Sequence, residues 1–449
     1  MLNVLMFYST YLAGFVLAIW RMPVFAFVLY EAVYFYNPQQ RWWAPMVPDL
    51  SYSLYVSLLV LTLVIIKYKT FKENKLLSVP HFRWMYFVLI LYAIAYFYAN
   101  NPETHARYLD YYFKTILIVS LAYKLIDTSK KLDYALFGYI FGAWYIGFVA
   151  YQTGRTSGDR LEGIGTVDSP DANGIAAAIA PALVLSLYYF WISNEWWKKA
   201  LFIVAGVFIA NGLVLINSRG AFLAAAVSLA YFMYHMYTSS FQRPKQKLMA
   251  VFITVFGLMG AATLADDSFI ERMRTITDTE VNEDRETAAT RTVFWGAAWE
   301  MAKDHPFGAG YLGFNRFGYL YMPANVNTGK RLQRTVHSTW FETLTEIGYL
   351  GLFAFVAMLF SAYRVAKKSR ILLKERGDID DYFKVLAIEA ACISFIVSMT
   401  FLNRLRAEIL YWCLLYIACA YNIYYLKFQT APITAAAQRL LQRNKLVKT

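Results

Sequence analysis

Long apolar runs recur along almost the whole chain, and they constrain it more than any other feature. An α-helix needs about 20 mostly apolar residues to cross a hydrocarbon core about 30 Å thick. In these 449 residues, runs of that kind fall at 2–20, 22–36, 50–66, 84–99, 108–126, 133–151, 173–192, 199–216, 221–237, 248–265, 339–363, 384–402 and 408–427. The first two are short and split by Arg21 and Pro23, so they read as one span plus a re-entrant or interfacial piece. The expectation is an all-α, polytopic membrane protein with 12–13 transmembrane helices, because a single helix satisfies its own backbone in lipid. Residues 1–265 form helices with short loops, 266–336 one large outer loop, 337–427 the C-terminal helices and 428–449 a basic tail. The chain is 59% hydrophobic and 16% charged, against about 25% charged in soluble domains. That excludes a disordered chain, a disulfide scaffold and a soluble globular protein. Cys392, Cys413 and Cys419 lie in apolar stretches and read as buried apolar residues. The stretch from Leu2 to Trp20 has no basic n-region and no small-residue cleavage site, so it reads as retained.

Basic residues in short loops orient such a protein. Alternate connections carry Lys67, Lys69, Lys72 and Lys75, then Lys124, Lys130 and Lys131, then Lys198 and Lys199. Arg243, Lys245 and Lys247 follow, then Arg364 to Arg376 and the tail. That face is expected to be cytoplasmic, with 266–336 outside. The two faces also differ in kind: the cytoplasmic side holds 18 Lys and 8 Arg, the outer side 14 Arg and two Lys. Lysine suffices as a hydrated point charge, whereas arginine's fork grips phosphate or carboxylate. An outer face almost purely of arginine points to a phosphate-bearing substrate there. Pairing with the ten acids of 266–336 is the competing explanation for the arginines of that loop. The net charge of +13 thus belongs to membrane lipids and a substrate, and no nucleic-acid partner is expected.

Four outer segments carry chemistry. Asn217-Ser218-Arg219-Gly220 joins two apolar helices with almost no loop, which puts Arg219 at or within the membrane boundary. An ionisable residue at that depth is a functional candidate. With Ser218 or Asn217 capping the next helix, the helix N-terminus and the guanidinium form an anion site. The competing reading is an arginine snorkelling to headgroups. His337 stands at the start of the helix that follows the large loop, with Glu342 and Glu346 sharing one face of it. A histidine at the edge of a polar cavity is suited to general-base work. His81, His105, His235 and His305 are expected to be structural. Arg155 and Arg160 flank a Gly/Ser/Asp-rich turn that continues to Asp171 and Asn173, suited to holding phosphate. Arg291, Trp295 and Trp299 recur at helical spacing before Pro306-Phe307-Gly308-Ala309-Gly310, which reads as an amphipathic helix on the outer membrane surface followed by a turn. Arg404 and Arg406 flank Leu405 in a very short outer connection and fit the same cationic pocket or lipid headgroups. Zinc spacing, an outer Asp-x-Asp pair, a Walker motif and a Gly-x-Ser-x-Gly elbow are all missing from the sequence. Metal-independent chemistry by Arg and His, with no cofactor, is expected.

Ser218-Arg219-Gly220, the loop of about 70 residues before the third-last span, and His337-Ser338 followed by Glu346-Ile347-Gly348-Tyr349-Leu350-Gly351-Leu352 resemble the O-antigen ligase and O-antigen polymerase superfamily. The turn from Arg160 to Asn173 and the stretch from Arg291 to Gly310 resemble its core too, over roughly 150–360. The resemblance implies transfer of a glycan from undecaprenyl diphosphate to an acceptor hydroxyl on the periplasmic face of the bacterial inner membrane. The acceptor it implies is a lipid A-core sugar, another glycan or a protein side chain. Carried over by motif, Arg219 binds the donor diphosphate and His337 acts as base or positions the acceptor. Arg160, Arg155, Arg291 and Arg404 are the candidates for further diphosphate or acceptor contacts, among which spacing does not choose, and Glu346 orients His337 or an arginine. A polymerase or a protein O-oligosaccharyltransferase of the same superfamily stays open, as does a lipid-linked sugar flippase or transporter. The last would place charge at mid-bilayer, where Lys114 and Glu389 are the main candidates.

Overall fold

A computed structural model describes residues 1–155, 160–264, 267–274, 288–323 and 333–430. Each apolar run is a helix. The first five are α1 (Leu2–Trp20), α2 (Val24–Tyr36), α3 (Tyr52–Ile66), α4 (Pro80–Ile94) and α5 (Pro102–Leu125). Then come α6 (Ser129–Thr153), α7 (Ala172–Ile192), α8 (Trp196–Ile216), α9 (Arg219–Thr238) and α10 (Gln246–Leu264). The large loop contributes α11 (Asp267–Arg274), α12 (Ala288–Asp304) and α13 (Gly313–Phe317). After it run α14 (Thr339–Arg376), α15 (Ile379–Met399) and α16 (Glu408–Tyr421). The described residues contain no β-strand, so the chain is an all-α polytopic membrane protein.

Nine helical segments among the described residues are long and apolar enough to cross a membrane. A tenth arises if Tyr52–Ile66 and Tyr68–Ser78, bent by 82°, count as one broken span. The sequence suggests 12–13, and the shortfall has physical causes. α2 has 13 residues and α4 has 15, which at about 1.5 Å each reach only roughly 20 Å. α5 is long enough, yet its first half carries Glu103, Arg107, Asp110 and Lys114. The basic tail lies, from 431 onward, outside the described residues.

α7, α15 and α16 form the centre, packed against α6, α8, α9 and α14. α1 and α10 lie at the edge with most of their apolar side chains exposed, as lipid-facing helices must. Aromatic residues, so abundant in the sequence, also build the interior. Trp412 is wholly buried among Phe27, Tyr30, Tyr34, Phe35 and Tyr139. At the lysine-bearing end, buried and half-buried cations meet carboxylates. Lys384 bridges Asp133 (2.8 Å) and Asp381 (3.0 Å), and Arg243 holds Asp380 by two bonds of 2.6 and 2.7 Å. Glu389, a mid-bilayer candidate, pairs with Arg370 at 2.8 Å and accepts from Tyr231 at 2.9 Å. Lys114, the other, is exposed and pairs with Asp110 one turn away.

α14 is two helices joined at a break. Ile347 leaves helical backbone and Gly348 has φ 71°. Residues 306–310 splice the gap. Ala309 and Gly310 donate N–H to the carbonyls of Thr345 and Glu346 at 2.8 and 3.0 Å, and Tyr349 donates to Pro306 at 3.0 Å. Carbonyls freed by the break therefore keep partners, as buried backbone groups require. Both strands of the splice need glycine. A Cβ at Gly308 would meet the Glu346 carbonyl carbon at 2.4 Å, and one at Gly348 the Pro306 oxygen at 2.1 Å.

Candidate functional site

The corner between α8 and α9 is two residues long. Asn217 takes left-handed backbone (φ 57°) and gives its N–H to Leu213, ending α8; asparagine tolerates that conformation better than most residues. Ser218 is the N-cap of α9 and Arg219 its first residue. The side-chain cap expected from Ser218 is not made. The tight corner commits Asn217 to terminating α8, while the Ser218 carbonyl takes the Phe222 N–H at 3.0 Å. Asn217 and Ser218 are buried and Arg219 is half-buried, at a helix end whose dipole favours an anion.

Arg160 comes to the same corner. Leu161 N–H bonds the Leu215 carbonyl at 3.0 Å, and the Arg160 Nη2 donates to Asn173 at 2.8 Å. Burial holds the Arg160 guanidinium below its ordinary pKa, Glu162 and Asp171 oppose that, and neighbouring Arg219 pushes it down further. Arg160 and Arg219 thus bring positive charge to one corner, beside the N-terminus of α9.

Phe401 gathers the next elements. A Cβ at Gly220 would touch its ring at 3.5 Å, the Arg291 guanidinium lies over it at 5.9 Å, and the Trp295 ring is 6.3 Å away. Trp295 stacks on Phe341 and donates to the Val336 carbonyl at 3.2 Å, the residue before His337. α12 thus turns Phe294, Ala297, Ala298 and Met301 toward Ala309, Phe314 and Val336. Its apolar face meets protein, where the sequence suggests a membrane surface; Trp299, half exposed, keeps the outward position.

His337 has φ 49° and its Nε2 lies 2.7 Å from the Thr335 hydroxyl. Left-handed backbone in a residue other than glycine costs on the order of 1–3 kcal/mol, and neighbouring bonds hold it. Ser338 N–H bonds Asn403 at 3.2 Å; the Thr339 hydroxyl donates to the Leu402 carbonyl at 2.7 Å and accepts the Arg404 N–H at 2.9 Å. The start of α14 is thereby stitched to the short 400–407 connection.

Arg404 and Arg406 leave that connection in different directions. Arg404 donates to Asp171 at 2.6 Å and to the Asp168 carbonyl at 3.0 Å. A Cβ at Gly174 would lie 1.6 Å from its Nη2, so only glycine leaves the guanidinium its seat. Arg406 is buried between Glu342, at 2.6 Å, and Glu346. The rings of Tyr311, Tyr92 and Tyr108 surround it at 4.6, 5.3 and 5.9 Å. Burial alone would lower both guanidiniums, but Glu346 and Glu342 hold Arg406 well above its ordinary value, and Asp171 and Asp168 raise Arg404. The remaining carboxylate oxygens take backbone N–H groups: Glu342 that of Leu405 at 3.0 Å, Glu346 that of Leu312 at 3.1 Å.

Arg160, Arg219, Arg291 and His337 are thus grouped around the α8–α9 corner and Phe401, while Arg404 and Glu346 are engaged in internal ion pairs. The carboxyl of Glu346 supports an arginine, Arg406. Arg155 follows Gly154 at the end of α6, and residues 156–159 beyond it lie outside the described residues. His105 is structural as expected, accepting the Tyr311 N–H and meeting the Tyr92 carbonyl. Sequence reasoning missed the Arg406–Glu342–Glu346 clamp, Asn403 and Phe401. Its one available signal was two carboxylates spaced i, i+4 in an apolar helix, which need a cation from elsewhere.

Residues 204–356 match the family model described as O-antigen ligase. The matched span takes in Arg219, Arg291, His337, Glu342 and Glu346, and ends before Arg404 and Arg406. A comparison with curated proteins gives no match.

Proposed function

We propose that this chain, a member of the O-antigen ligase superfamily, transfers a glycan from undecaprenyl diphosphate to an acceptor hydroxyl. The transfer takes place on the periplasmic face of the bacterial inner membrane, and the acceptor is a lipid A-core sugar. The observation that carries the reading is the meeting of Arg160 and Arg219 at the α8–α9 corner, where Phe401 lies beside Gly220 and carries the Arg291 guanidinium over its ring, with His337 one stitched segment away.

In the proposed reaction the diphosphate sits against Arg219 and the N-terminus of α9, with Arg160 and Arg291 as further contacts. As the C1–O bond breaks, negative charge grows on the diphosphate, and preorganised guanidiniums stabilise it. His337 takes the acceptor proton, and the hydroxyl attacks C1 from the face opposite the leaving group, inverting it. Arg406, clamped by Glu342 and Glu346, fixes the half-helix that follows His337; Arg404 fixes the turn at 168–174 beside Arg160. Neither is assigned to substrate.

The test is transfer from purified lipid-linked donor by the full chain in nanodiscs. Arg219→Ala and His337→Ala should abolish product while eluting as the wild type does. Near-normal transfer by either variant rejects the assignment. Activity should survive EDTA; inhibition reversed by magnesium would reject the metal-free reading. A polymerase or protein O-oligosaccharyltransferase would use the same chemistry and differ in acceptor, which mass analysis of the product identifies.

A further inference from the structure

Beside the splice in α14 lies a hollow of about 350 Å³, bounded by Tyr98, Asn100, Asp304, His305, Phe307 and Phe317, with the backbone of residues 306–309 behind them. That volume is at the small end of ligand sites, roughly 300–1,000 Å³. We propose that this hollow binds a sugar ring of the acceptor glycan, resting on the transferase reading above.

Its walls are aromatic and its rim is polar. Phe307 is 70% exposed and Tyr98 41%, a high exposure for large rings on a short segment. The segment is also held stiffly. Tyr98 donates to the Phe307 carbonyl at 2.8 Å, Asn100 N–H to Ala309 at 3.1 Å, and Gly308 N–H to His305 at 2.8 Å. The His305 imidazole stacks on Phe317 at 5.2 Å and 20°. Asp304 accepts the Tyr321 hydroxyl through one oxygen, at 2.9 Å, and is exposed.

A pyranose matches this chemistry on both counts. Its C–H face covers an aromatic ring, while its hydroxyls take carboxylate, amide and imidazole partners at the rim. An acyl chain would cover the carboxylate of Asp304 and the amide of Asn100 and offer them no hydrogen bond. A phosphate headgroup would meet a carboxylate and no lysine or arginine among the lining residues. Lys303, nearby in sequence, has its Nζ on Glu300 at 2.7 Å.

The position selects the acceptor. His337 stands just before the first half of α14, and residues 306–310 bind its far end at Thr345 and Glu346. The seven steps from 339 to 346 span roughly 10 Å at about 1.5 Å each. The hollow is therefore a few sugar units from the proposed base, at the end of the half-helix away from Arg219 and Arg291.

Two measurements on the full chain in nanodiscs test this. Saturation-transfer NMR uses the methyl glycosides of glucose, galactose and N-acetylglucosamine as probes. Wild type should show transfer to at least one, lost in Phe307→Ala and weakened in Asp304→Ala. In the glycan-transfer assay Phe307→Ala should raise the acceptor KM about tenfold, the loss of one aromatic contact, with kcat and the donor KM within about twofold. Saturation transfer unchanged in Phe307→Ala, or a rise in donor KM alone, overturns the proposal. Displacement of the sugar signal by phosphatidylglycerol in the disc would overturn it in favour of a lipid site. A chain that transfers no glycan, yet loses the sugar signal in Phe307→Ala, keeps the hollow as a sugar site and rejects the transferase reading.

Discussion

The two ends of the helical bundle both bury arginine or lysine, and they treat the charge differently. At the lysine end, Lys384, Arg243 and Arg370 each face a carboxylate within 3.0 Å. At the arginine end the same holds for Arg404 and Arg406, but Arg160 donates to the neutral side chain of Asn173 at 2.8 Å. Paired charge holds helices in register and is spent in doing so. A guanidinium seated on an amide keeps its field for a ligand. Net charge counted along the chain cannot distinguish these cases; pairing in space does.

The comparison can be broken most easily at the arginine end. His337→Ala should lower kcat by about 10²–10⁴, the usual worth of a general base, and Arg219→Ala by about 10²–10³. Both variants should melt like the wild type, so a loss of rate tracking a loss of folded protein would erase the distinction. Arg406→Ala is expected to destabilise by about 3–5 kcal/mol, because two buried carboxylates lose their cation. Arg406→Met combined with Glu342→Gln and Glu346→Gln should recover much of that in thermal melts. Lys384→Ala should cost about 1–3 kcal/mol, less because Asp133 and Asp381 are partly exposed. Its kcat per folded molecule should stay unchanged; a fall would give the lysine end a part in transfer. Lys114→Gln should shift stability by no more than about 0.5 kcal/mol, since both partners of its ion pair are mostly exposed.

Much of the fold is legible in the sequence because lipid makes hydrophobic length the dominant signal. Every apolar run is a helix, and Arg21 to Pro23 does separate α1 from α2. The errors are local. α5 reads as a span from 108 onward, yet its charged first half extends the helix back to Pro102. The stretch 339–363 reads as one helix because no proline marks the break at Ile347; the break needs residues 306–310, about 40 positions earlier, to become affordable. In the site, Arg219 and His337 stood out because each is unusual where it sits. Glu342, Glu346 and Arg406 are each conspicuous too, but their pairing spans 60 or more positions. Tyr92, Tyr108 and Tyr311 look like ordinary aromatic residues until Arg406 lies among them.

The break in α14 also separates two mechanical duties. The segment 339–346 is fixed by protein alone, through the splice at one end and the 400–407 connection at the other. The segment 349–376 reaches roughly 42 Å at about 1.5 Å per residue, well past a hydrocarbon core of about 30 Å. Tyr349, the first residue of the long segment, is bonded to Pro306 in the same splice that holds Thr345 and Glu346. Residues 306–310 therefore act as a bracket, fixing the angle at which the spanning rod meets the short arm that follows His337.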